Sequence, residues 1–246
     1  MRFKTEMLSS SNSTFRRVWK LIIRIIISLI IFSFIYVIAL RWMPVHYTPL
    51  YAMRKIEAFK QGKTIPFLKT WVPLKEISPH LIRGVLAAED DQFLRHYGFS
   101  IENIKMALSQ NKKAGRIVRG GSTISQQTAK NVFLIPAKSY VRKVLEAYFT
   151  ILIELFWGKK RIMEVYLNVI EMGSGIYGAQ AASMYFYGCN ASDLSKRQAA
   201  MIAISLPNPR RFRVDAPSNY MVERQAKIMT YMSSTDAGFF IDEKDD

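Results

Sequence analysis

A single cysteine, Cys189, excludes an intrachain disulfide and a cysteine-rich metal site, and leaves the redox compartment open. Acidic residues are scarce as well. Nineteen Asp and Glu face 35 Lys and Arg in 246 residues, a net charge of +16. Such a balance points to an anionic partner: nucleic acid, an anionic membrane, or a phosphate-bearing substrate. Strand-type alternation is nearly missing, and repeats and low-complexity segments are missing altogether, which leaves a mainly α fold. A second long apolar run is also lacking. Val144 to Trp157 is short and carries Glu146 and Glu154, so the sequence supports only one membrane span.

That span is the run Leu21–Leu40, whose only charge is Arg24. A helix of this length covers about 30 Å, the thickness of a bilayer's hydrocarbon core. Arg24 lies one turn in and can snorkel, while Trp19 and Trp42 bracket the run as interface aromatics do. Upstream, Arg2, Lys4, Arg16, Arg17 and Lys20 are opposed only by Glu6, so the positive-inside rule places the N-terminus in the cytoplasm and the rest outside. A cleaved signal is disfavoured because the run is too long and Ile38-Ala39-Leu40-Arg41 offers no small-x-small site. The chain therefore divides into a basic cytoplasmic segment (1–20), a transmembrane anchor (21–42), a proline-bearing connection (43–74), one globular domain (75–235) and a solvated acidic tail (236–246).

Capping residues mark the helices of the domain. Ser78 with Pro79 at N1 opens one, Ser100 a second, and Gly120-Gly121-Ser122-Thr123 a third that runs to about Phe133. Others are expected near 51–60, 140–157 (stopped by Gly158), 160–171, 178–187, 196–205 and 218–232, with short β pieces near 64–72 or 210–214.

Three polar patterns carry the chemistry. Glu89-Asp90-Asp91 ends an apolar helical run; if the helix continues, Glu89, Phe93 and His96 share a face, and an aromatic neighbour would raise the Glu89 pKa toward that of a general base. In isolation an acidic triplet is more often a solvated helix end. Ser122, Gln126 and Lys130 form an i, i+4, i+8 stripe behind two glycines, suited to a sugar-phosphate at a helix N-terminus, although Thr123 and Gln126 also fit a capping box. Arg142 and Glu146 are spaced i, i+4 on a helix apolar enough to be largely buried, where Glu146 and Glu154 need partners or a cleft. Lys160, Glu164 and Asn168 make another stripe, with Glu164 favoured as a structural partner. Separated carboxylates suit chemistry at an anomeric carbon, and cations beside them suit a phosphate leaving group.

These strings, in this order, resemble the peptidoglycan glycosyltransferases of family 51. The resemblance rests on Glu89-Asp-Asp-Gln-Phe93-Leu-Arg-His96-Tyr-Gly98, Gly120-Gly-Ser-Thr-Ile-Ser-Gln-Gln-Thr-Ala-Lys-Asn131, Arg142-Lys-Val-Leu-Glu146, Lys160-Arg-Ile-Met-Glu164-Val-Tyr-Leu-Asn168 and the Gly173–Gly188 string, covering about residues 75–210. Ser125, Thr128 and Leu145 depart from residues common in the family. With the sequence ending near residue 246, the expectation is a monofunctional chain without the transpeptidase domain of bifunctional relatives. The resemblance implies a lysozyme-like helical domain with a membrane-embedded apolar patch, acting on lipid II and the growing glycan strand. It implies Glu89 as base and Glu146 as second catalytic carboxylate. Ser122, Gln126, Gln127, Lys130, Arg142, Lys143 and Asn168 would bind substrate, supported by Asp90, Phe93, His96, Glu154 and Glu164. No cofactor is obligatory, although a divalent cation (Mg or Mn) at the pyrophosphate is allowed for. The implied setting is the bacterial inner membrane with the domain periplasmic, alongside other cell-wall synthesis proteins and away from nucleic acid. The rival reading is a murein-cleaving lysozyme or lytic transglycosylase, which needs a protonated acid and no cationic pyrophosphate site. A membrane-tethered binding module is the other, and it would cluster its cations with aromatics on one element.

Overall fold

The computed structural model describes residues 2–115, 120–137 and 139–241, with backbone only for 2–14, 110, 111, 113, 114 and 241. It separates into two units, divided after Met43. The first contains α1 (Arg2–Ala39), within which Phe15–Ala39 is long and apolar enough to cross a membrane. The helix thus begins well before Leu21, taking in the basic segment, and it ends before Trp42. Most apolar side chains of the span are exposed, as a lipid-facing helix requires.

The second unit begins at Pro44, so residues 44–74 belong to the domain and are not a mere connection. Within them, α2 (Pro49–Lys60) is capped by Thr48, with proline at N1, and β1 (Leu68–Lys69) joins a small sheet. Its other strands are β2 (Glu171–Gly173) and β3 (Ile176–Tyr177), in the order β1-β3-β2, with β1 parallel and β2 antiparallel to β3. The β2 and β3 strands were not expected from sequence, being too short to alternate. No strand forms at 210–214. Gly175 turns the hairpin at φ +77°, where a Cβ would lie 2.1 Å from the Pro66 carbonyl oxygen.

The remaining helices follow in chain order, some of them started by side-chain caps. They are α3 (Pro79–Glu89), α4 (Ile101–Ala114), α5 (Ile124–Phe133), α6 (Tyr140–Phe156), α7 (Gly158–Val169), α8 (Ala179–Tyr187), α9 (Lys196–Ser205), α10 (Asn219–Ser234) and α11 (Gly238–Ile241). Ser78, Ser100, Thr123 and Ser195 each accept a backbone N–H of the first turn, and Thr123 and Ser195 complete capping boxes with Gln126 and Gln198.

Two helix groups make the core. The first is α3, α9 and α10; Gly84 lets α3 approach α9 so closely that a Cβ would stand 3.3 Å from the Ala203 Cβ. The second is α5 with α6 and α7, filled by Ile124, Ile153, Ile162, Val165 and Tyr166, all fully buried. Each large apolar side chain buried in this way contributes about 1.5–3 kcal/mol.

Two sequence expectations are corrected here. The first concerns α6, which is not buried all round: Tyr140, Val141, Val144, Ile151 and Leu155 are exposed and Glu146 lies on the inner face. The second concerns the acidic end. From Asp236 to Ile241 it is not a free tail, since α11 places Phe240 against Phe93, rings 6.2 Å apart and stacked. Residues 242–246 lie outside the described residues.

Candidate active site

The end of α3 delivers Glu89, and the chain then turns away. Asp90 takes an extended φ of −160°, which stops the helix, so Glu89, Phe93 and His96 do not share a helical face. The reason is Asp90 itself. Its buried carboxylate accepts from His96 Nε2 (2.9 Å), Asn103 Nδ2 (3.1 Å) and the Ile124 backbone N–H (3.1 Å). The last is the first residue of α5, where an anion is favoured by unpaired N–H groups and the helix dipole. Asp90 therefore ties α3, α4, α5 and the 91–98 loop at one point, directly beside Glu89.

That tie sets the position of Glu89 against α5. Gln127 Nε2 donates to Glu89 Oε2 at 2.7 Å, and the Tyr166 hydroxyl of α7 donates to Gln127 Oε1 at 3.5 Å. Some Glu89 surface stays open to water, yet dense protein around it dominates: burial raises its pKa, and the nearby Asp90 charge adds to this. The Gln127 bond and the Arg224 and Lys130 charges pull the other way without prevailing. Tyr166 is pushed well above its ordinary range by burial and by Glu89 and Asp90, so its hydroxyl stays protonated.

One turn along α5 stands Lys130, within electrostatic range of both Glu89 and Glu146. Burial lowers its pKa, with the Arg142 and Lys143 charges adding to the effect and the two carboxylates opposing it. Glu146, 2% exposed, accepts from Arg142 Nη1 at 2.7 Å and is also bonded by Lys143 Nζ. Those cations keep open surface, 22% for the Arg142 side chain and 50% for Lys143. The buried carboxylate thus holds two part-exposed cations in place, with a third one helix away.

The other candidate residues divide between support and scaffold. Phe93 is fully buried, capped by Lys159 Nζ at 4.5 Å from its ring centre and packed on Phe240. Lys159 Nζ also donates to the His96 carbonyl (2.6 Å) and to Glu154 (2.7 Å), which in turn accepts from Ser125. This network holds the loop that follows Glu89. Gly98 closes it at φ +85°, where a Cβ would meet Thr150 Cγ2 at 2.7 Å.

Gln126 completes the expected capping box, its Oε1 accepting the Thr123 N–H at 3.0 Å, and Gln127 is the amide that meets Glu89. Ser122 remains half-buried before the cap, while Gly121 serves packing, a Cβ there lying 3.3 Å from Ile104 Cα.

Asn168, expected to bind substrate, is engaged within the scaffold instead. It is fully buried, its Oδ1 accepts the Val72 N–H (2.9 Å), and both Nδ2 protons are taken by the Val72 and Glu164 carbonyls (2.9 and 2.8 Å). No donor is left for a ligand. Glu164 accepts from the Leu74 N–H (3.1 Å) and from Arg161, so the α7 stripe grips segment 72–74, a structural part. Tyr166, Asn103, Lys159 and Arg224 were missed. Tyr166 was read only as an apolar-face residue, and Arg224 lies on α10, far along the chain, where no local pattern pairs it with Glu89.

Residues 57–233 match the family model described as "Transglycosylase". Among curated proteins, the chain is 50% identical over 218 residues to the biosynthetic peptidoglycan transglycosylase of Bacteroides thetaiotaomicron, covering 87% of this chain and 88% of that one. It is 48% identical over 218 residues to that of Bdellovibrio bacteriovorus (89% and 87%). It is 51% identical over 192 residues to that of Caulobacter vibrioides (78% and 81%). With Glu89 held by Gln127 and the Glu146 cation cluster both inside the matched segment, the chain belongs to the transglycosylase family.

Proposed function

We propose that this protein is a peptidoglycan glycosyltransferase that polymerises lipid II, a disaccharide-pentapeptide carried on a polyprenyl pyrophosphate, into β-1,4-linked glycan. The observation that carries the reading is the pairing of a half-buried, raised-pKa carboxylate at Glu89 with a cation cluster of Lys130, Arg142 and Lys143 organised by Glu146. Glu89 takes the proton from the acceptor sugar's 4-hydroxyl as that oxygen bonds to C1 of the donor sugar. The C1–O bond to pyrophosphate breaks, its electron pair leaves with the pyrophosphate, and attack from the opposite face inverts the centre. The cations neutralise charge that grows on the leaving group, which needs no proton donor.

A raised Glu89 pKa alone would also suit the protonated acid of a murein-cleaving enzyme. The Glu146 cluster decides against that alternative, because a carboxylate engaged by two cations is a poor base or nucleophile and a good phosphate organiser. Among the described residues, no group of three or more His, Cys, Asp or Glu is placed to hold a metal. Lys130, Arg142 and Lys143 supply counter-charge to the pyrophosphate, with or without a divalent ion beside it.

The membrane fits the same reading. Helix α1 anchors the chain with its basic end cytoplasmic and the domain on the outer face of the bacterial inner membrane. Exposed apolar residues on α6 and on α4 (Ile101, Ile104, Leu108) suit contact with acyl chains, from which a lipid-borne substrate is drawn. The test is to incubate the purified chain with labelled lipid II, and separately with finished murein. Polymer and released carrier from the first support the proposal; fragments from the second alone would refute it.

A further inference from the structure

At the end of α3 opposite Glu89, a cavity of about 290 Å³ opens between the first turns of α3 and α9 and the segment joining α10 to α11. His80 and Arg83 enter it from α3 and Lys196 from α9, with the hydroxyls of Ser233 and Thr235 on the far wall. Lys196 Nζ donates to Ser233 Oγ at 2.6 Å, which aims the ammonium across the opening. Among the described residues the lining carries one carboxylate, Asp236, which accepts the Gly238 N–H at 2.9 Å. Among the described residues neither Arg83 nor Lys196 is ion-paired. Two cations and an imidazole thus share a cavity that holds one acid.

We propose that this cavity binds a phosphate-type oxyanion, with Arg83 and Lys196 as the charged contacts and His80 as a third donor. The site is distinct from the Glu89 cluster, roughly 13 Å away along the α3 axis, and does not depend on the proposed reaction. Arg is suited to two-pronged contact with such an anion and Lys to a point contact, whereas the Ser233 and Thr235 hydroxyls already donate to the Met229 and Tyr231 carbonyls (3.3 and 2.8 Å) and only line the wall. In the absence of an anion, burial lowers the His80 pKa, and the Arg83 and Lys196 charges lower it further. An anion between the three groups reverses the charge contribution and favours the imidazolium.

The chain has three histidines, so the ring signals of ring-labelled full-length protein in zwitterionic micelles are few, and those of His80 are assigned by their loss in His80→Gln. The His80 midpoint is followed by NMR with inorganic phosphate, with potassium chloride at matched ionic strength, and with phosphatidylglycerol added to the micelles. The proposal expects phosphate or phosphatidylglycerol to raise the His80 midpoint by about half a pH unit or more, beyond the chloride control. A response to phosphate assigns a soluble anion, and a response to phosphatidylglycerol alone assigns a lipid headgroup. The double variant Arg83→Gln/Lys196→Gln, checked for native circular dichroism, is expected to lose the response. A midpoint that neither additive moves, that chloride moves equally, or that still responds in the double variant overturns the proposal.

Discussion

Gln127 Nε2 donates to Glu89 Oε2 at 2.7 Å, a bond from α5 to the carboxylate of the last residue of α3. The bond favours the charged carboxylate, against a burial that disfavours it. Gln127→Leu removes the donor, so Glu89 holds its proton to higher pH. The acid limb of the kcat/KM profile for lipid II polymerisation is expected to move to higher pH, and an unmoved limb would show that this bond does not tune the base.

Glu146 is buried and organises Arg142 and Lys143, both of which still reach water. Glu146→Gln leaves those cations hydrated, so the fold survives while their aim is lost. A fall in kcat of roughly 100-fold is expected. Polymerisation at the parent rate, with an unchanged melting temperature, would remove Glu146 from the site.

Asn168 offers a contrast, since its amide is consumed by Val72 and Glu164. Asn168→Ala strands a buried N–H and carbonyl, at a cost of about 1–3 kcal/mol. Denaturant unfolding is expected to show that loss, with kcat per folded molecule nearly unchanged. A specific fall in kcat at full stability would return Asn168 to the substrate cleft.

Gly98→Ala places a Cβ 2.7 Å from Thr150 Cγ2 at a φ of +85°. Destabilisation of about 1–3 kcal/mol is expected, together with reduced activity, because the loop behind Glu89 is held through this turn. A thermal melt and an initial rate on the same preparation measure both effects.

Much of this was legible in sequence because caps and helical spacing are local. Ser78-Pro79, Ser100 and Thr123 with Gln126 marked three helix starts that the structure retains. Arg142 and Glu146 were paired by an i, i+4 rule, and they meet at 2.7 Å. What escaped was set by long-range partners. The stop after Glu89 depends on Asp90 reaching Ile124, and nothing within 89–96 encodes that contact. The capping box identified Gln126 locally, but that Gln127 would meet Glu89 depends on how α3 packs against α5, 38 residues apart in the chain. An apolar α6 reads as buried because periodicity cannot distinguish a protein interior from an exposed apolar face.

The central claim is that Glu89 is the proton acceptor, and Glu89→Gln tests it with its own control. Burial holds this carboxyl above the ordinary glutamate value of 4.5. The folded state therefore binds the proton more tightly than the unfolded one. The stability contribution is fully present below the unfolded pKa and is lost as pH rises through the folded pKa. At neutral pH the charged side chain costs stability, so Glu89→Gln is expected to melt no lower than the parent. Measured at pH 7 on labelled lipid II, that intact variant is predicted to give no polymer and no released carrier above background. Polymer formation at a rate near the parent's would contradict the account.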